Sequence, residues 1–489
     1  MAMEPAHRPP DLSADARIRS VQAHSAGLRK ELGLATLVLT QIMYVVGSGW
    51  VGTAAKLGDA HVVFWLSAIA LFYLPQAAVV VYLNRLMPLE GGLYQWATVG
   101  LGKFLGFLTA WNLWAYAILI MATFGVMIAR NLSYLIAPLG PSFITAPWYT
   151  AAVSAVSIVG LTIVSLFGVR VSKWLQGIGG TAQILTYTAL IAVPFVALSR
   201  GTAAAYHPLT VAAPAFTLLS LNIFGKMAMG GLSGFEYVAI LAGECKNPAR
   251  SIGRATIAAA PIIALMFILG TSSVLSLVPQ DQIDLASPIP QTLSIGFSGL
   301  GFIRFLVPVL ITLLLLRQIG NVALIFAGNT RLPMVAGWDG LLPAWFSRLH
   351  PTLRTPHNSI LFVGALTLAM AMAGQIGVNA AEAFQLLENA GGIFYAFTYL
   401  AMFAIPLFGA HRLSQRPPMW LRAASACGFA VTLLYSILSV FPIIDVPSWT
   451  VFAVKIISVL VVANLIGVGI YLAAGRKSKT GSLRSQFTN

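Results

Sequence analysis

The sequence predicts an all-α, polytopic membrane protein of twelve spans: two five-helix units of opposite orientation, followed by two additional helices. Three observations predict it. Hydrophobic residues make up 58% of the chain and charged residues only 9%, where soluble proteins carry roughly 25% charged. Apolar runs of about 20 residues recur along nearly the whole chain, and that length crosses a ~30 Å hydrocarbon core. Two of the runs are broken by glycine at matching places. One break reads Val46-Gly47-Ser48-Gly49-Trp50-Val51-Gly52, the other Met229-Gly230-Gly231-Leu232-Ser233-Gly234-Phe235-Glu236.

Residues 1–32 are polar, basic and proline-containing, without the apolar core and cleavage site of a signal peptide, and read as a cytoplasmic tail. The membrane domain covers 33–474, with a first repeat at 33–198, a second at 215–408 and the last two spans at 420–474. Residues 475–489 read as a disordered cytoplasmic tail. The spans fall at about 34–57, 62–84, 104–130, 148–168, 174–198, 215–242, 255–278, 302–330, 358–374, 383–408, 420–442 and 449–473. Spans 1, 3, 6 and 8 are long enough to tilt or break. Pro75 in span 2 is tolerated where neighbours satisfy the carbonyl it frees. Pro138, Pro141 and Pro147 mark an external turn. Pro279, Pro288 and Pro290 mark a longer external segment over 279–297, with room for a short helix. The stretch 331–357 reads as a cytoplasmic loop lying partly along the interface. Because five is odd, spans 1–5 and 6–10 point in opposite directions.

The net charge of +15 reads as topology, not as a nucleic-acid footprint. With the N-terminus inside, all Lys and Arg but Lys56, Arg130, Arg200, Lys226, Arg304, Arg317 and Lys455 fall in the tails and cytoplasmic loops. That asymmetry is the positive-inside rule, and attraction to anionic lipid headgroups comes second to it. The lipid bilayer is the expected partner; nucleic acid is not. The two cysteines, Cys245 and Cys427, suggest no disulfide framework. No histidine pair has metal-ligand spacing, and HExxH, GxSxG and P-loop patterns are absent. No enzyme activity, catalytic residue, cofactor or metal is therefore expected.

A membrane helix cannot leave backbone groups unpaired in lipid. Two breaks in corresponding halves imply a cavity at mid-bilayer, as in secondary transporters built from inverted repeats. Gly47, Gly49 and Gly52 also spell the dinucleotide fingerprint, but that motif needs a strand before it and an acid about 20 residues on, and here it sits in an apolar span. Close helix packing through small residues is the plain alternative at both breaks, Gly230 and Gly234 forming a GxxxG pair. As an unwound hinge, Val46, Gly47, Ser48, Gly49 and Trp50 would offer N–H groups and a helix N-terminus to a carboxylate. Gly230, Gly231, Leu232, Ser233 and Gly234 would offer carbonyls to an ammonium group. Glu236 and Arg317 are the ionisable residues deepest in apolar sequence, a placement that is functional by default. Glu236 is the candidate proton carrier, or a structural partner of Lys226 or Arg317. Arg317 stays charged and is either a fixed internal cation in place of a sodium ion or a counter-ion. Trp50, Trp111 and Tyr116 are the gating candidates, with packing the commoner use of such aromatics. Glu382 and Glu388, near the outer end of span 10, read as solvated or as lining a vestibule.

Three segments resemble the amino acid–polyamine–organocation permeases, and the likeness extends over most of residues 30–474. They are Pro88-Leu89-Glu90-Gly91-Gly92-Leu93-Tyr94-Gln95-Trp96, Gly234-Phe235-Glu236 through Glu244-Cys245-Lys246-Asn247-Pro248-Ala249-Arg250, and Arg331 through Asp339-Gly340-Leu341-Leu342-Pro343 with Thr355-Pro356. The resemblance implies the LeuT-like fold, five plus five inverted repeats and alternating access. It implies a small-molecule substrate, an amino acid or a polyamine, whose carboxylate meets Gly47–Gly49 and whose amine meets carbonyls near Gly230–Ser233. It also implies that Glu236 is sensitive to protonation, and a proton is the expected coupling ion. Two departures stand out. Many relatives carry an aromatic gate where this chain has Gly230, which leaves a roomier pocket or a lid supplied by Trp50 or span 3. Some proton-coupled members place a span-5 lysine where this chain has Gln183, and Arg317 could fill that role from span 8. The sequence thus reads as an amino acid permease working by proton symport or substrate exchange; the alternatives are a polyamine permease and a sensor that binds without transport.

Overall fold

The structure, a computed structural model, describes residues 33–87, 92–137, 148–166, 169–201, 211–236, 248–298, 301–330, 342–350 and 355–486, with Ile144 and Ala146 besides. The N-terminal tail, Pro88–Gly91, the stretch 237–247 with Glu244 and Cys245, and Arg331–Leu341 lie outside the described residues.

Every regular element described is helical. Span 1 is two helices, α1 (Leu34–Val45) and α2 (Ser48–Ala55), set at 46° to each other. Between them Val46 and the extended Gly47 break the ladder. In span 2 a widened π turn over Ile69–Tyr73 precedes Pro75; the ring removes one N–H and crowds the carbonyl four residues back, and the wider turn makes room for it. Span 6 begins with α3 (Leu218–Gly225), capped by Thr217 and Ser220, and continues as a π turn over Lys226–Gly231. Helical order then stops at Leu232, and Gly234 takes φ +119°, which only glycine adopts at low cost.

Among the described residues, ten helices are long and apolar enough to cross a membrane, and the bent pair of span 1 makes eleven. The twelfth expected span is span 6, whose expected range of 215–242 ends outside the described residues. Among the ten unbroken spans, 3 and 10 are the most buried, with 72% and 61% of their apolar stretches buried, while spans 4 and 12 are the least, at 28% and 22%. That burial corrects the expectation for Glu382 and Glu388: both are buried, because the half of span 10 that carries them is packed into the bundle. The last helix runs from Trp449 to Gln486, past the point where the sequence predicts a disordered tail; no proline interrupts it, and a helix satisfies its own backbone without partners.

The segment between spans 7 and 8 carries the helix expected there, α4 (Pro288–Phe297). It lies on α2. A Cβ at Gly52 would stand 2.8 Å from Pro288 Cβ, and one at Gly49 would stand 3.4 Å from the Leu285 carbonyl. Lys56 Nζ donates to the Gln280 carbonyl at 3.0 Å while the Gln280 amide donates to the Lys56 carbonyl. Asp284 accepts from Arg130 at 2.6 Å and from the Tyr134 hydroxyl at 3.1 Å, tying the segment to span 3.

Candidate substrate site at the two helix breaks

The first break frees carbonyls at the C-terminal end of α1, where the helix dipole is negative. Side chains from two distant spans take them up. Arg317 of span 8 donates through Nη2 to Val46 O at 2.6 Å and through Nε to Gln183 Oε1 at 2.9 Å. Gln183 of span 5 donates to the same Val46 carbonyl at 2.9 Å, and Tyr187, one turn further, donates to Gly47 O at 3.1 Å. A buried arginine is here fixed by good acceptors, which is what makes its burial tolerable. Arg317 therefore meets Gln183 of span 5 from the neighbouring span.

The second break is held from span 10. Tyr395 and Tyr399 each donate to one oxygen of the fully buried Glu236 carboxylate. Tyr399 also accepts from Gly234 N–H at 2.9 Å, and Gln76 of span 2 donates to Leu232 O. Neither Lys226 nor Arg317 is the partner of Glu236: Lys226 donates to Asn389 of span 10, and Arg317 is engaged at the first break. The reason is rotational. Lys226 and Glu236 stand ten positions apart across a π turn and a break, so they do not share a face.

The breaks touch. A Cβ at Gly234 would stand 3.6 Å from Val45 Cγ2 and 3.7 Å from Tyr44 Cβ. Trp50, three residues into α2, lies across both. A Cβ at Gly47 would stand 2.6 Å from Trp50 Cδ1, and one at Gly230 would stand 2.2 Å from Trp50 Cη2. Both positions must be glycine for the indole to lie there. Tyr44, Gly47, Trp50, Tyr116 and Gly230 keep partial exposure deep inside the bundle, whereas their neighbours Val46, Ser48, Gly49, Gly231, Leu232, Ser233 and Gly234 are buried. Tyr116 stacks on Tyr395 with ring centroids 4.1 Å apart, which places it beside Glu236. Gln318 Nε2 approaches Ser48 Oγ at 3.5 Å and its carbonyl accepts from Asn131 at 2.7 Å. Trp111 is elsewhere. Its indole donates to Ala463 O at 2.8 Å and lies against Gly467, between spans 3 and 12. Span 3 is a regular helix there, so Trp111 and Tyr116, five residues apart, face different sides.

Sequence reading finds the breaks, Glu236 and Arg317. It misses Gln183 as a ligand of the first break, and Tyr187, Gln76, Tyr395 and Tyr399 altogether. Spacing gives one signal for them: Gln183 with Tyr187, and Tyr395 with Tyr399, are polar pairs four apart in apolar helices, each pair on one face.

Broken helices meeting at a buried, charged centre define a transporter, and the fold is the LeuT-like one. A crystal structure of MhsT in complex with L-phenylalanine superposes with a TM-score of 0.58 at 15% identity, covering 84% of this chain and 99% of that one. The chain belongs to the amino acid permease family, whose model matches residues 32–473. Its relatives include an uncharacterized transporter of Legionella pneumophila, 27% identical over 77% of this chain and 80% of that protein. A branched-chain amino acid permease of Lactococcus lactis subsp. cremoris is 27% identical over 76% of this chain and 78% of its own length. A probable agmatine/putrescine antiporter of Lactococcus lactis subsp. lactis is 23% identical over 69% and 70%.

Proposed function

We propose that this transporter moves amino acids across the cytoplasmic membrane by alternating access, through proton-coupled symport or substrate exchange, with both termini in the cytoplasm. The observation that carries this reading is the meeting of the two breaks under Trp50. The N-terminus of α2, with no side-chain cap, presents the N–H groups of Ser48, Gly49 and Trp50 to a carboxylate. The end of the π turn at Gly231 presents carbonyls with no helical N–H groups to follow. A small zwitterion satisfies both at once, and Trp50 with Tyr116 walls it in.

Charge divides the labour. Arg317 holds its proton at every physiological pH, so it acts as a fixed cation at the end of α1, where a sodium ion would otherwise serve. Glu236 can change charge. Ionised, it accepts from Tyr395 and Tyr399. Protonated, it must itself donate, so one tyrosine hydroxyl turns away. Tyr399 also holds Gly234 N–H, so proton binding is passed directly to the second break.

The test is uptake into proteoliposomes of labelled leucine, phenylalanine, arginine, agmatine and putrescine. Three conditions are needed: a proton gradient, a sodium gradient, and neither but with preloaded substrate. Amino acid uptake that follows the proton gradient and is lost in Glu236→Gln supports symport. Uptake only against preloaded substrate supports exchange. Agmatine or putrescine uptake alone would overturn the carboxylate assignment at Gly47–Gly49, and saturable binding without uptake would make the chain a sensor.

A further inference from the structure

A second charged cluster lies in the bundle, and the mechanism above leaves it unused. Lys226 of span 6 and Glu388 of span 10 are both buried, at 0% and 6% exposure, and lie within electrostatic reach of each other. Lys226 Nζ donates to Asn389 Oδ1. Among the described residues Glu388 Oε2, Asn389 Nδ2 and both amide atoms of the fully buried Gln385 have no hydrogen-bond partner. A buried carboxylate with an empty oxygen is costly while ionised, and ionisable groups inside a membrane bundle mark ion and proton routes.

The cluster is joined to Glu236 by one helix face. Gln385, Glu388, Asn389, Gly392, Tyr395 and Tyr399 recur at spacings of three and four, a single stripe along span 10. Glu388 and Tyr395 are two turns apart, roughly 10 Å. The Tyr435 hydroxyl of span 11 fills the interval: it lies where a side chain at residue 392 would begin, 1.9 Å from a Cβ built there. Glycine at 392 is what admits it. From span 3, Tyr116 lies within electrostatic reach of both Glu388 and Glu236, and from span 1 Tyr44 lies within reach of Glu236.

We propose that Glu388 is a second proton-binding group, passing its proton along this face to Glu236. The inference rests on Glu236 carrying a proton. An O–H bond breaks at Glu388 and one forms at Glu236; the hydroxyls of Tyr435 and Tyr395 each accept one proton and release their own. Neutral Glu388 and ionised Glu236 become ionised Glu388 and neutral Glu236, and the Lys226 ammonium offsets the carboxylate left behind.

Infrared difference spectra of the reconstituted protein across a pH titration test this without a substrate, since a protonated carboxyl has its own C=O band. Two buried carboxyl bands are expected, one lost in Glu236→Gln and the other in Glu388→Gln, with Lys226→Met moving the second to higher pH. If Glu236→Gln removes no band, the proton role of Glu236 fails. If Glu236→Gln removes a band and Glu388→Gln does not, this proposal alone fails. A Glu388→Gln protein that loses both bands is misfolded, and Glu388→Asp then decides: a second band that returns, shifted in pH, supports the proposal, and its continued absence overturns it.

Discussion

The two breaks solve one backbone problem with opposite charges. At the first, a cation and a glutamine bind the freed carbonyl of Val46, and a tyrosine binds Gly47. At the second, a carboxylate is itself bound by two tyrosines, one of which also holds a backbone N–H, and a glutamine binds Leu232. In each repeat the tyrosines come from the fifth helix of that repeat, Tyr187 in span 5 and Tyr399 in span 10. The difference lies in what can titrate. Arginine keeps its proton across the working range, whereas a glutamic acid can gain one, so on the proposed function the first break stays as it is and the second changes.

The comparison breaks most severely at Arg317. Arg317→Ala leaves the Val46 carbonyl and Gln183 without their charged donor in a buried site, a loss of about 3 kcal/mol or more. Melting of the purified protein should fall accordingly, and uptake should be lost or become sodium-dependent; normal uptake without sodium would end the fixed-cation assignment. Next comes Gly230→Val, which drives a side chain into the Trp50 ring at a cost of about 1–3 kcal/mol. Binding of labelled leucine should fall with it, and Trp50→Ala in the same chain should restore the fold. A matched pair sharpens the contrast further. Tyr399→Phe and Tyr187→Phe each remove one hydroxyl, worth about 1 kcal/mol of stability. Only Tyr399→Phe should move the pH profile of uptake; an equal shift in both would mean that the two breaks are not different in kind. The smallest effect belongs to Trp111→Phe. It removes one hydrogen bond to span 12, so uptake should stay within about twofold of the parent.

Much of the fold is legible in the chain because hydropathy and glycine placement act locally. The bend at Val46–Gly47 and the end of helical order after Gly231 fall where the sequence puts them. The partners of the breaks are not legible, since Gln183 is 137 residues from Val46 and Tyr395 is 159 from Glu236. Which face of span 5 or span 10 turns inward is decided by packing against the other spans, and periodicity along one helix is silent about it. Glu388 shows the same limit. Its place near the end of span 10 suggests water, and the helices around that end bury it. Trp111 fails differently: an aromatic in a central span looks like a pocket residue until the periphery, here span 12, is in place.

Trp50 has a consequence for how such proteins diverge. One indole occupies the volume that side chains at 47 and 230 would need, so a larger residue at either position requires a smaller one at 50. A lineage can trade bulk across the gap, but only in compensated steps. Relatives with a large residue at the position of Gly230 should carry a small one at that of Trp50, and the size of one should anticorrelate with the other across the family.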